Sequence, residues 1–223
     1  MKVRIAPSIL AADLACLAEE VARAEEGGCD AFHCDIMDWH FAPNLSYGPK
    51  VVATMRRLTG LPLDVHLMVD NPLDMIDAFA DAGSDYITIH TEALADASKA
   101  FEAIRNRGVK PGVTLRPDAP MSAVASYLAS VDIVLIMSVY PGFGGQEFIA
   151  DSYDRIRFAA EKAAAVNPGL VISVDGGVNF ENAPKLVAAG ANWLVAGTSV
   201  FKNHEAAERV RRLRAAALGA HRE

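Results

Sequence analysis

Short apolar, β-branched runs alternate with longer segments whose apolar positions recur every three or four residues, from one end of the chain to the other. The short runs, at 3–8, 30–37, 63–69, 86–90, 110–115, 133–139, 170–175 and 193–196, predict eight strands. Amphipathic stretches at 13–26, 48–58, 72–82, 96–107, 121–129, 152–165, 180–189 and 204–218 predict a helix after each strand. Strands nearly continuous in apolar residues are buried on both faces, as in parallel sheets covered by helices. Eight strand–helix units in 223 residues leave little spare chain for an open doubly wound sheet. The expected fold is therefore α/β: a single (β/α)8 TIM barrel domain spanning 1–223.

Punctuation agrees with that reading. Gly27–Gly28, Gly60, Gly83, Gly108 and Gly190 follow predicted helices and read as C-caps. Asp13 is a candidate N-cap, Asn71 precedes the third helix, and Pro72 and Pro184 sit in first turns.

A parallel barrel gathers the C-terminal ends of its strands on one rim, where active sites are built. Polar residues concentrate at those ends. Ser8 closes the first strand, and His33, Asp35 and Met37 share one face near the end of the second, because side chains alternate with period two. His66 and Met68 end the third strand, His90 the fourth and Asp175 the seventh, with Met137 near the end of the sixth. Two imidazoles and two carboxylates (His33, Asp35, His66 and Asp175) thus come from three strands. Such a set suits one divalent metal ion: zinc, iron(II), manganese or cobalt. Met37, Met68 and Met137 lie on the same faces, where they are either core or a polarizable cap that keeps water from a charged intermediate.

Glycine-rich segments follow the last three strands: Pro141-Gly-Phe-Gly-Gly-Gln146, Asp175-Gly-Gly177 and Ala196-Gly-Thr-Ser199. Loops at these positions, opening into helix N-termini, commonly cradle phosphate. None has the Walker pattern, so no nucleotide-driven reaction is indicated.

Composition narrows the partners. A formal net charge of -7 argues against a nucleic-acid-binding face, while backbone N–H groups can still take an anionic substrate. No apolar run reaches the roughly 18 residues of a membrane span, and the first residues read as a strand, not as a signal peptide. Cys16, Cys29 and Cys34 are odd in number and without metal-like spacing, which fits a reduced, cytoplasmic compartment.

The ordered motifs His33-Cys-Asp35-Ile-Met37-Asp38, Phe41-Ala-Pro43-Asn44, Asp64-Val-His66-Leu-Met68-Val69, Met137-Ser-Val-Tyr-Pro141-Gly-Phe-Gly-Gly-Gln146 and Val174-Asp175-Gly-Gly177 resemble the ribulose-phosphate 3-epimerase family. The similarity runs from Ser8-Ile-Leu to Ala196-Gly-Thr-Ser-Val-Phe201. It implies a ribulose-phosphate-binding barrel and an isomerase of carbohydrate metabolism, in the pentose phosphate pathway. The implied reaction inverts C3 through an enediolate, interconverting D-ribulose 5-phosphate and D-xylulose 5-phosphate. It further implies one divalent metal ion per subunit on His33, Asp35, His66 and Asp175, with Asp35 and Asp175 as acid and base. Ser8, His66 and Asp175 would contact substrate. Gly142, Phe143, Gly144, Gly145, Gly176, Gly177, Gly197 and Thr198 would hold its phosphate. A homo-oligomer, dimer or hexamer, is also implied.

Three positions depart from the family pattern. Trp39, followed by His40, stands where glycine is usual. Tyr140 and Arg116 each replace an asparagine. Arg116 reads as a surface residue or as an anion contact. These changes keep D-allulose 6-phosphate open as an alternative substrate. A lyase or decarboxylase of the wider phosphate-binding barrel group would use a lysine on an inner strand face, and none is found there; a non-catalytic ligand-binding barrel would have little use for opposed carboxylates.

Overall fold

The computed structural model describes residues 3–219. Its strands are β1 (Arg4–Pro7), β2 (Phe32–Met37), β3 (Leu63–Met68), β4 (Tyr86–His90), β5 (Lys110–Leu115), β6 (Ile133–Met137), β7 (Val171–Asp175) and β8 (Trp193–Ala196). All neighbours pair in parallel, and β1 follows β8 in the ring. The remaining seam, between β1 and β2, is joined by a parallel bridge from Ser8 to His33 and by Asp30 N–H donating to Ile5 O at 2.8 Å. The α/β barrel read from the hydrophobic pattern is the fold of the chain.

The outer helices are α1 (Leu17–Glu26), α2 (Pro49–Leu58), α3 (Ile76–Asp81), α4 (Ser98–Asn106), α5 (Ser122–Ala125), α6 (Ser152–Val166), α7 (Ala183–Ala189) and α8 (Ala206–Ala217). Seven are shorter than their amphipathic stretches, three of them because part of the stretch forms a 3-10 turn. Asp13 caps a 3-10 turn, Leu14–Cys16, by accepting from Ala15 N–H at 2.9 Å, and α1 starts only after it. Pro72 likewise opens a 3-10 turn, Pro72–Asp74, before α3, and Asn71 makes no side-chain cap there. The stretch 121–129 holds one α-helical turn followed by a second 3-10 turn, Leu128–Ser130. Gly60 is not a cap either: α2 ends at Thr59 in extended conformation.

Packing separates into three cores. The largest lies between strands and helices and includes Phe32, Leu67, Phe79, Phe101 and Leu213. A second fills the lower barrel with Ala6, Tyr86, Ile133, Trp193 and Val195, closed by Arg4 over Trp193 and Lys110 over Tyr86. A third, at the mouth, holds Met37, Phe41, Ala42 and Met68. Between the last two, the inward faces are not apolar as the strand pattern suggested. Asp64, Thr88, Thr114 and Ser173 are all buried there. Gly112 makes room for this layer, since a Cβ would stand 2.1 Å from Thr88 Oγ1. The three cysteines are free thiols. No helix among the described residues is long and apolar enough to cross a membrane.

Candidate metal centre and active site

Strand register brings the rim residues together. Asp35 is level with His66 on the neighbouring strand, Met37 with Met68, and Met137 with Asp175. One ligand atom from each of His33, Asp35, His66 and Asp175 lies within 4.8 Å of every other. Both histidines are fully buried, Asp35 nearly so, and Asp175 is half-buried at the mouth.

The hydrogen bonds assign the nitrogens. His33 Nδ1 is 2.8 Å from Asp64 Oδ2, which leaves Nε2 facing Asp35 Oδ1 at 3.2 Å. His66 Nδ1 is also 3.2 Å from that oxygen, and its Nε2 meets His90 Nε2 at 2.9 Å. Ser8 Oγ donates to the other Asp35 oxygen at 2.6 Å. Among the described residues, no Lys or Arg contacts Asp35, Asp64 or Asp175. Buried carboxylates ordinarily need a cation.

Their protonation shows the same deficit. Burial works against ionisation of Asp35, yet the His33 charge and hydrogen bonds from His33 and His66 hold it well below the carboxylate range. Burial, then repulsion by Asp35, pushes Asp175 up to about 7. Burial would lower His33, but Asp35 and Asp64 overcome it and hold the imidazole well above its ordinary value. Burial lowers His66. A proton on His33 thus stands in for positive charge that the neighbouring side chains do not supply. The donor set of two imidazoles and two carboxylates fits a divalent cation.

Above this cluster opens a cleft lined by Ser8, Asp35, the three methionines, Asp175 and the three glycine-rich segments. Of the residues expected to contact substrate, Ser8, Gly142, Phe143, Gly144, Gly145, Asp175, Gly176, Gly177, Gly197 and Thr198 all line it, whereas His66 lies behind Asp35. The glycine-rich segments do not open into helix N-termini. They are turns, with α6, α7 and α8 starting several residues later at Ser152, Ala183 and Ala206. The N–H groups of Gly144, Gly145, Gly177, Gly197 and Thr198 find no backbone acceptor among the described residues.

Side chains brace these turns. Asn182 Nδ2 donates to Gly177 O at 2.9 Å, Ser138 Oγ to Gly176 O at 2.7 Å, and Asn44 Nδ2 to Gly142 O at 2.6 Å. Gly177 has φ 61°, and a Cβ there would come within 2.9 Å of the Phe148 backbone. Only glycine meets both conditions without a shift.

The three departures separate here. Tyr140 lines the cleft and is 49% exposed. Trp39 points to solvent, keeping at φ 68° the left-handed backbone suited to the glycine usual there. Arg116 is half-buried rather than free on the surface. Its guanidinium lies over the Phe41 ring and donates to Phe41 O at 2.7 Å.

The model of the ribulose-phosphate 3 epimerase family matches residues 4–201. The chain belongs to this family. It is 46% identical over 203 residues to the ribulose-phosphate 3-epimerase of Bacillus subtilis, covering 89% of this chain and 92% of that one. To the chloroplastic ribulose-5-phosphate-3-epimerase of Arabidopsis thaliana it is 45% identical over 217 residues, covering 95% and 76%. Among solved structures, KGPDC from Streptococcus mutans superposes over 100% of both chains with a TM-score of 0.75 at 13% identity. That likeness supports the barrel alone. As a member of the epimerase family, the chain is an isomerase.

Strand logic did not single out Asp64 or Glu92. Asp64 had a readable signal: it stands two residues before His66, on the same inward face.

Proposed function

We propose that this chain is a metal-dependent epimerase that inverts C3 of D-ribulose 5-phosphate to give D-xylulose 5-phosphate, and the reverse. The observation that carries the reading is the placement of Asp35 and Asp175, on non-adjacent strands, at the floor of a cleft walled by three glycine-rich turns.

Inversion needs a base on one face of C3 and an acid on the other, since one base alone would tend to return the proton to its original face. The two carboxylates are driven apart in proton affinity: Asp35 is held ionised, and Asp175 is pushed to about 7. Those affinities belong to the metal-free site; the opposite roles rest on position, one carboxylate serving as base on one face and the other as acid on the opposite face, exchanged when the reaction runs backwards. Ser8 steadies the Asp35 oxygen to which it donates. His33, Asp35, His66 and Asp175 would hold the metal, which when bound supplies Lewis-acid polarisation of the substrate carbonyl. Met37, Met68 and Met137 cover the reacting carbons and exclude water. Bare N–H groups of the turns take the phosphate, as such nests do without net positive charge.

Of the three departures, only Tyr140 lines the cleft, so Trp39 and Arg116 give no reason to prefer a hexulose phosphate. An assembly of like subunits finds support in the exposed Leu45 and Leu73 near an apolar groove, and sedimentation equilibrium tests it.

The deciding experiment compares metal-assayed and chelator-stripped protein on ribulose 5-phosphate, allulose 6-phosphate and the unphosphorylated ketoses in deuterated water. Expected are turnover on the pentulose phosphate, deuterium at C3 and loss of both on stripping. Full activity after stripping overturns the metal assignment; preference for the hexulose phosphate overturns the substrate.

A further inference from the structure

His66 and His90 place their Nε2 atoms 2.9 Å apart, with ring centroids at 5.1 Å and planes inclined by 24°. Two neutral imidazoles that meet nitrogen to nitrogen share one proton, so one donates and the other accepts. With the hydrogen on His90 Nε2, His66 carries its own on Nδ1, pointed at Asp35, and has no lone pair for a ligand there. With the hydrogen on His66 Nε2, the Nδ1 lone pair faces the cluster, and His90 must carry its hydrogen on Nδ1. That buried Nδ1 has one group to address: Glu92, whose Oε2 is 3.5 Å away, at the edge of hydrogen-bond reach. The other Glu92 oxygen accepts from Arg116 N–H at 2.6 Å. Phe41 packs on His90 at 4.5 Å between centroids, and the Arg116 guanidinium lies 4.4 Å from the Phe41 centroid. Phe41 packs on the His90 ring, whose one outward nitrogen is aimed at a carboxylate.

We propose that His90 and Glu92 are positioning residues that hold His66 in the tautomer whose Nδ1 lone pair faces Asp35 and Asp175. This rests on the metal-site reading above. The chain of groups parallels His33 and Asp64 in purpose, but its carboxylate stands one imidazole further out. A carboxylate behind a ligating imidazole orients the ring and raises its basicity. Here the intervening His90 transmits the orientation, and Arg116 anchors its far end.

The test uses metal-stripped wild type, His90→Leu, His90→Gln and Glu92→Gln. Zn(II) affinity is read by competition with a chelator of known affinity, and geometry by the visible absorption of the Co(II)-loaded proteins. His90→Leu, which removes the acceptor, is expected to weaken Zn(II) about 10–100-fold and to shift the Co(II) bands. His90→Gln, whose amide oxygen can accept from His66 Nε2–H, should recover most of that loss. Glu92→Gln should cost less, about threefold to tenfold. Nitrogen-15 correlation spectra of the Zn(II)-loaded wild type should show His66 protonated at Nε2. Wild-type affinity and an unshifted spectrum in His90→Leu overturn the proposal. If that variant does not fold, the same result in Glu92→Gln, on the more exposed rim, overturns it. Failure of the wild type itself to bind Zn(II) removes the metal reading and this inference together, whereas tight wild-type binding with unaffected variants removes this inference alone.

Discussion

Among the described residues, two groupings of histidine with carboxylate or thiol side chains stand at ligand distance, and their surroundings are opposite. At the rim, His33, Asp35, His66 and Asp175 converge with no described Lys or Arg in contact. Between the first helix and the loop after β8, Cys16, Glu20 and His204 also lie within ligand reach of one another. There the cation is already present: Arg23 Nη2 lies 2.8 Å from Glu20 Oε1 and 3.3 Å from His204 Nδ1. The Cys16 thiol, pushed up by local desolvation and by Asp13, Glu20 and Glu19, stays protonated. Ligand geometry alone does not distinguish the two; the balance of charge does. The rim set sits on strands, whereas His204 rides a loop in which it and Asn203 both have left-handed backbones.

The sharpest break in this comparison is catalytic. Asp35→Asn and Asp175→Asn should each lower turnover by about 10³-fold or more, consistent with the loss of an acid or base together with a metal ligand. Glu20→Gln should leave kcat within about twofold, since it touches no group at the rim. Steady-state kinetics on ribulose 5-phosphate, with metal content measured for each protein, decide this. Near-normal turnover in either aspartate variant takes that residue out of the proton-transfer pair.

How much of this was readable beforehand follows from where each residue sits. Asp35, His66 and Asp175 stand at or near strand ends, and His33 shares the face of Asp35 one step of period two deeper, so the barrel rule and the alternation locate all four without coordinates. Asp64 was hidden because it lies two positions deeper, among residues that read as strand body, yet it fixes the His33 nitrogen. Glu92 lies past the end of β4, in a 3-10 turn, and only the fold turns it towards His90. Arg116 shows the limit most clearly. Its charge left a surface position or an anion contact open, and neither reading foresaw the ring and the carbonyl from another loop that it touches. Such pairings join residues 75 positions apart, and no local pattern encodes them. The glycine-rich turns were found by composition, while their separation from the following helices depends on chain length that the tertiary structure takes up.

Proton competition separates the groupings next. Asp175 is raised from 3.8 to about 7 by burial and Asp35. The folded chain therefore binds that proton more tightly than the unfolded chain. The stabilisation is complete below the unfolded value near 4 and is lost as pH rises through about 7. Asp35, held low, has the opposite sense: its contribution is present above the unfolded value and fades on acidification below it. A metal must displace the protons on both Asp175 and His33, so Zn(II) affinity of stripped protein should fall by more than about tenfold for each pH unit below 7. Its stabilising effect on thermal unfolding should grow towards pH 7 and keep growing above it while His33 still holds its proton. Affinity independent of pH over this window takes Asp175 out of the ligand set. The outer cluster should contribute no second bound ion at any of these pH values.

A stability difference of moderate size is expected at Glu20. Its carboxylate is buried and serves both Arg23 and His204, though Arg23 is partly exposed, which discounts the pair. Glu20→Gln should cost about 1–2 kcal/mol in denaturant unfolding, since the guanidinium loses its charged partner. Metal stoichiometry should not change. A fall in bound Zn(II) would mean that the outer cluster competes for metal after all.

The smallest effect belongs to His204. At φ 57° a histidine stores backbone strain, and glycine would adopt the same conformation freely. His204→Gly relieves that strain but gives up the contact to Glu20 and adds freedom to the unfolded chain. These terms oppose one another, so the net change in unfolding free energy should stay within about 1 kcal/mol. The informative measurement is the pairing of stability with metal content. A side chain held only by the charge balance around Arg23 can be removed without altering bound metal. A ligand cannot, and loss of an equivalent of zinc on this substitution would reverse the distinction drawn between the two groupings.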